Sequence, residues 1–173
     1  MNKNKILAKK HGAVVLPYKD LPRTYKLAIG HYMFLDGEAW HNTNENWRNH
    51  KFWNKDCPTD KDREEYDAYI YRVMVRAIPH FVKEYGKTKF GVGEIPTDVM
   101  AVEILKQGWP NPKINTLAKY KEWIQENTFI PDHSKNNRWP VIMDSKGSVI
   151  DGFHRFHNYL IRGDLTIPFV TFA

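Results

Sequence analysis

Cysteine is almost missing from this chain: Cys57 is the one thiol in 173 residues. That excludes an intrachain disulfide and any cysteine-rich metal site, and a reducing interior is the simpler home. Set between Asp56 and Pro58, it reads as a loop residue rather than a nucleophile. Long apolar runs are lacking as well, since none approaches the roughly 20 residues that span a bilayer. Residues 1–10 lack the apolar stretch and small-residue cleavage pattern of a signal peptide. A soluble cytoplasmic protein with no membrane partner is expected. Internal repeats and low-complexity tracts are also absent.

Charge of one sign does not dominate. The 26 Lys and Arg against 20 Asp and Glu leave +6, scattered along the chain, which permits a phosphate-bearing partner without demanding DNA. A hydrophobic content of 42% is enough for a substantial core, which argues against wholesale disorder. The length fits one elaborated domain, or one compact domain with a separate helical region.

The spacing of apolar residues predicts a mainly helical, aromatic-rich first half. Residues 12–16 form a short apolar run that fits a strand. Tyr25, Ile29, Tyr32 and Met33 recur at helical spacing before Asp36-Gly37. Trp40, Trp47, Phe52 and Trp53 then crowd a polar stretch, where core anchoring is preferred over a partner surface. A long helix capped at Thr59 or Asp60 runs to about Tyr85, with Pro79 inside it expected to introduce a kink. From Phe90 the texture changes: an extended segment with Gly91 and Gly93, a capped helix from Thr97, a helix from Thr116, and strands at 139–143, 148–150 and 165–172. The glycines do not make a dinucleotide fingerprint, because the strand, turn and helix context is lacking. The organisation expected is an extension over 1–89 packed on an α+β domain over 90–173.

The most informative stretch is Val149-Ile150-Asp151-Gly152-Phe153-His154-Arg155. It reads as a β-branched strand, a glycine turn, and a helix with imidazole and guanidinium groups in its first turn. The first amides of a helix have no internal acceptor and sit at the positive end of its dipole, so an anion is stabilised there. Arg155 offers a fork suited to phosphate oxygens, His154 a donor or proton-transfer group, and Asp151 a cap for the free protein. The plainer alternative is that Arg155 simply pairs with Asp151 and that His154, His157 or Asn158 supports the helix surface.

Other constellations are weaker. His31, His41, His50, His80 and His133 form no tight ligand pair. A metal site through Asp151, His154 and His157 is the closest spacing. A nuclease would track nucleic acid with Arg72, Arg76, Lys83, Lys87, Lys89, Lys135 and Arg138, but two clustered carboxylates are not evident in the sequence. A small binding protein that recognises DNA, RNA or a phosphate group without turnover, of the kind carried by phages and mobile elements to counter host defence, is the alternative class.

Ile95-Pro96, the helix from Thr116, Pro140-Val141-Ile142-Met143-Asp144, Asp151-Gly152-Phe153-His154-Arg155 and 163–170 occur in an order that resembles the ParB/sulfiredoxin-like superfamily over residues 91–173. The resemblance implies a small mixed α/β domain that holds a nucleotide phosphate where the Gly-His-Arg motif starts its helix. That role falls on Gly152, Phe153, His154 and Arg155, with Asp151 placed to orient a hydroxyl, a water or a metal such as Mg²⁺. Sulfiredoxin keeps its reactive cysteine immediately before His-Arg, and Phe153 stands there in this chain, which argues against sulfinic acid reduction. The partitioning proteins place Glu-Arg-Arg after the glycine and carry a helix-turn-helix downstream. Phe153-His154-Arg155 departs from that, and centromere reading is not expected.

The free-serine kinase branch is nearer, because its Asp-Gly-His-His-Arg differs from this chain only at Phe153. That branch also uses an early acidic residue, for which Glu94 is the candidate and Asp98 the alternative. The resemblance therefore implies ATP or another nucleotide with Mg²⁺, and transfer of a phosphoryl group to an unidentified small-molecule or macromolecular acceptor. Asp151, His154 and Glu94 are its catalytic candidates.

Overall fold

The computed structural model describes residues 13–36, 59–126 and 138–172, apart from the side chains at 34–36, 63, 67 and 70. Trp40, His41, Trp47, His50, Phe52, Trp53, Cys57, His133 and Lys135 lie outside the described residues. Among the described residues, five strands form one mixed sheet: β1 (Val14–Pro17), β2 (Lys89–Pro96), β3 (Val141–Met143), β4 (Val149–Asp151) and β5 (Thr166–Phe172). Their spatial order is β1-β2-β5-β3-β4. Only the β3–β5 pairing is parallel. The last strand in sequence therefore lies at the centre. Its run Ile167 to Thr171 is buried throughout, as expected of a strand covered on both faces.

Among the described residues, five α-helices cover those faces: α1 (Arg23–Asp36), α2 (Asp60–Tyr85), α3 (Thr97–Lys106), α4 (Leu117–Glu126) and α5 (Phe153–Arg162). Alternation along the strands separates two cores. Phe90, Ile142 and Val170 pack with Leu27, Ile29, Val73, Met74 and Phe81 of α1 and α2. Ile95, Val141, Met143, Ile167 and Phe169 pack with Met100, Ile104, Tyr120, Phe156 and Tyr159 of α3, α4 and α5. The architecture is thus a mixed α/β sandwich of helix, sheet and helix layers. The amino-terminal segment is built into it, because β1 pairs with β2 and α1 and α2 supply one whole layer.

Local expectations meet particular outcomes. Thr59 caps α2, its hydroxyl oxygen accepting the Asp62 amide at 3.2 Å, and α2 continues through Pro79 as one helix. Thr97 does not cap α3: Pro96 is the capping residue and has no side-chain bond. The Thr97 hydroxyl instead donates to the Asp164 carbonyl, tying α3 to the segment that enters β5. Gly91 and Gly93 serve close packing, since an added Cβ would stand 2.6 Å from the Thr171 Oγ1 and 2.9 Å from the Phe169 ring. Among the described residues no helix is long and apolar enough to cross a membrane.

Candidate functional site

The expected strand, turn and helix are present. β4 ends at Asp151, and Gly152 adopts φ 98° and ψ 22° as the residue before α5, a left-handed conformation that a side chain would strain. Space is restricted as well: a Cβ there would lie 3.2 Å from the Val141 Cα and 3.3 Å from the Arg155 Cζ. Gly152 is the capping residue but has no side chain to bond a first-turn amide, and the first intrahelical bond is Phe156 N–H to the Gly152 carbonyl at 2.8 Å. The first-turn amides precede that bond, at the end of the helix where the dipole is positive.

Asp151 and Arg155 are arranged differently from the sequence expectation. Asp151 does not cap α5; one carboxylate oxygen accepts from the Arg155 Nη2. Nor does Arg155 present its fork outward. It is only 5% exposed and its Nη1 donates to the Pro140 carbonyl, so the guanidinium lies beneath the turn and ties β4 to the entry of β3. Burial opposes ionisation of Asp151, but Arg155, His31 and the Gly152 N–H outweigh it and hold the carboxyl well below the usual carboxylate range. The group is therefore a buried, paired anion. His154, one residue away, is exposed, with its ring 6.3 Å from that of Trp109. Phe153 is half-buried with its ring 5.7 Å from the same indole.

The third partner of Asp151 comes from the far end of the sequence. Asp151 opposes Ile142 and Val149 opposes Met143, so Ile150 is an extra residue in the β4 edge. The bulge brings Asp151 to the face covered by α1, and there the His31 Nδ1 stands 3.8 Å from its Oδ2. Sequence reading counted His31 only among scattered histidines. No local signal identifies it, because the contact depends on the bulge and on where α1 docks.

Glu94 lies in a second polar cluster at the same end of the sheet. It accepts from the Thr166 hydroxyl and pairs with the Arg138 Nη2 at 3.3 Å. Arg138 also reaches Asp164 at 3.0 Å and the Thr166 carbonyl at 3.1 Å. Register places Glu94 opposite Pro168 and Asp151 at the level of Val170, three strands across, a Cα separation of roughly 15 Å. Glu94 and Asp151 thus border one end of the fold without touching. Asp98, the alternative acid, is an exposed residue in the first turn of α3.

The Asp151, His154 and His157 metal set is not assembled. His157 is fully buried, with its Nδ1 2.6 Å from the Tyr120 hydroxyl, while His154 is exposed and Asp151 serves Arg155. Among the described residues no three His, Cys, Asp or Glu side chains converge as metal ligands. A carboxylate already bonded to a guanidinium is a poor fit for a resident cation. Arg72, Arg76, Lys83, Lys87 and Lys89 are exposed, whereas Arg138 is drawn into ion pairs. No family profile, curated protein or solved structure matches this chain.

Proposed function

We propose that this protein binds a nucleotide through its phosphates at the start of α5 and acts as a phosphotransferase or nucleoside triphosphatase of the ParB/sulfiredoxin-like kind. The observation that carries the reading is the left-handed Gly152, which has no side chain to cap the ten-residue helix that follows it. The phosphates are received by the first-turn amides and by exposed His154, while Trp109 and Phe153 flank the same helix end. Arg155 contributes from below: paired with Asp151, it fixes the turn instead of gripping the anion. Phosphoryl transfer is chiefly positioning and charge neutralisation, both of which an amide-lined helix end supplies. Mg²⁺ enters on the nucleotide's own phosphates, as is usual where the protein offers few carboxylates.

Calorimetry with ATP, ADP and CTP in the presence of Mg²⁺ tests the reading. His154→Ala should weaken binding by about tenfold, the order of one charge-assisted hydrogen bond, and leave the melting temperature unchanged. Absence of heat with all three nucleotides refutes the proposal.

A further inference from the structure

We propose that the exposed face of α2 is a docking surface for the phosphate backbone of double-stranded DNA, used without regard to base sequence. The surface belongs to the helical layer on the far side of the sheet from α5, and it does not depend on the nucleotide reading above.

Positive charge is concentrated along this element. Residues 71–89 hold five Lys and Arg against one Glu, and so supply +4 of the chain's +6. At about 100° per residue, Arg72, Arg76 and Lys83 fall within about 40° of one another around the helix, opposite Met74 and Phe81, which lie in the core. Arg72, Arg76, Pro79 and Lys83 are the exposed residues from 71 to 83. Lys87 follows just beyond the helix end and is exposed as well.

The pairing of charges singles out the same row. Elsewhere in the fold Lys106 pairs with Glu103, Arg138 with Glu94 and Asp164, Arg155 with Asp151, and Arg162 with Asp164. Arg72, Lys83 and Lys87 have no acidic partner among the described residues. Glu84, the acid beside Lys83, is engaged by the His80 Nε2 at 2.9 Å. A row of uncompensated cations on a rigid helix attracts a polyanion.

The composition of the row selects the polyanion. Arg72 to Lys83 spans about 16 Å along the axis, a length over which duplex DNA presents about nine phosphate charges. Single strands are held by aromatic side chains that stack on bases, and no aromatic residue is exposed from 71 to 83. A membrane surface requires apolar side chains to insert beside the cations, and the exposed residues there are three cations and a proline. Hydroxyl and amide side chains, which bond a 2′-hydroxyl or a base edge, are absent from the same exposed set. What remains is attraction to a continuous phosphate rail.

The test follows the full chain by fluorescence anisotropy with a labelled DNA duplex of mixed sequence, from 50 to 200 mM salt. Wild type should bind with a Kd of about 10⁻⁴–10⁻⁶ M at physiological salt, and log K against log salt should have a slope of about −3 to −4, the counterion release of four phosphate contacts. Replacing Arg72, Lys83 and Lys87 together with Gln should bring that slope to about −1 and weaken binding at least tenfold at 50 mM salt, with an unchanged melting curve. Lys106→Gln, Lys113→Gln and Lys119→Gln combined remove the same charge from the opposite layer and should leave affinity within threefold of wild type. Equal losses in the two triple variants would show that net charge alone is read, and would overturn the proposal. So would wild type that fails to bind the duplex, that prefers single-stranded DNA or an RNA duplex, or that prefers one DNA sequence more than tenfold. Binding to phosphatidylserine vesicles without binding to the duplex gives the surface to a membrane instead.

Discussion

Replacing Arg155 with Met separates the two roles a guanidinium in this motif can have. If it grips a ligand, Met costs affinity and little stability. If it is the internal partner of Asp151, Met leaves a buried carboxylate without its cation. The structure supports the second role, since Arg155 is buried and engages Asp151 and the Pro140 carbonyl. Removing one member of a buried ion pair typically costs about 3–5 kcal/mol. For a chain of this length each kcal/mol is worth about 2–4 °C, so Arg155→Met should melt on the order of 10 °C below wild type. The double variant Asp151→Asn, Arg155→Met removes both charges and should recover a large share of that loss.

The pH dependence has a definite sign. In wild type the Asp151 carboxyl is held below its unfolded value. Its stabilising contribution is therefore complete above the unfolded value of about 3.9 and is lost as pH falls through the depressed folded value. In Arg155→Met burial dominates instead and raises the folded value above the unfolded one, so acidification from neutral pH relieves the buried charge. The gap in urea stability between the two proteins should narrow from pH 7 toward pH 4. An Arg155→Met protein within 1 kcal/mol of wild type at pH 7, or a gap that widens on acidification, refutes the reasoning and returns Arg155 to the ligand.

Two further outcomes follow from the clusters on either side of the turn. Glu94→Gln disrupts half-exposed ion pairing, which is worth at most about 1 kcal/mol; if Glu94 assists transfer, phosphate release should fall at least tenfold with an unchanged melting curve, and an unaltered rate removes it from the candidates. Tyr120→Phe leaves the buried His157 Nδ1 without the hydroxyl 2.6 Å away and should cost about 1–3 kcal/mol in urea unfolding, whereas a neutral result would show that water or another group takes its place.

What the sequence discloses and what it conceals divide along the range of the interactions. The turn at Gly152, the cap at Thr59 and the helix over Phe153–Arg162 depend on residues three or four apart, and those relations are printed in the order of amino acids. The pairing of Asp151 with Arg155 is also an i,i+4 relation and stands in the sequence as the plainer of two readings. What decides between them is the Pro140 carbonyl beneath the guanidinium, a contact fixed only when β3 and β4 pair. The central position of β5 and the role of Gly91 and Gly93 in admitting its side chains are likewise non-local.

The same distinction explains why α1 matters more than its sequence suggests. Its apolar spacing predicts a packing helix, and of that stripe Ile29 is buried while Tyr25, Tyr32 and Met33 pack partly buried against the same core; Leu27 and Ala28, outside the stripe, are buried as well. Yet its other residues border both polar clusters. Tyr25 lies near Glu94 and Arg138, its hydroxyl held above the usual tyrosine range by burial and then by the glutamate, against the opposing effect of the arginine. His31 faces Asp151 six residues later, a rise of about 9 Å along the helix. A helix that only covered the sheet would have no need of a titratable ring at each cluster. Placed as they are, the two rings make the amino-terminal layer part of the polar end of the fold, so that α1 supplies both a wall of the core and the imidazole that stands beside Asp151.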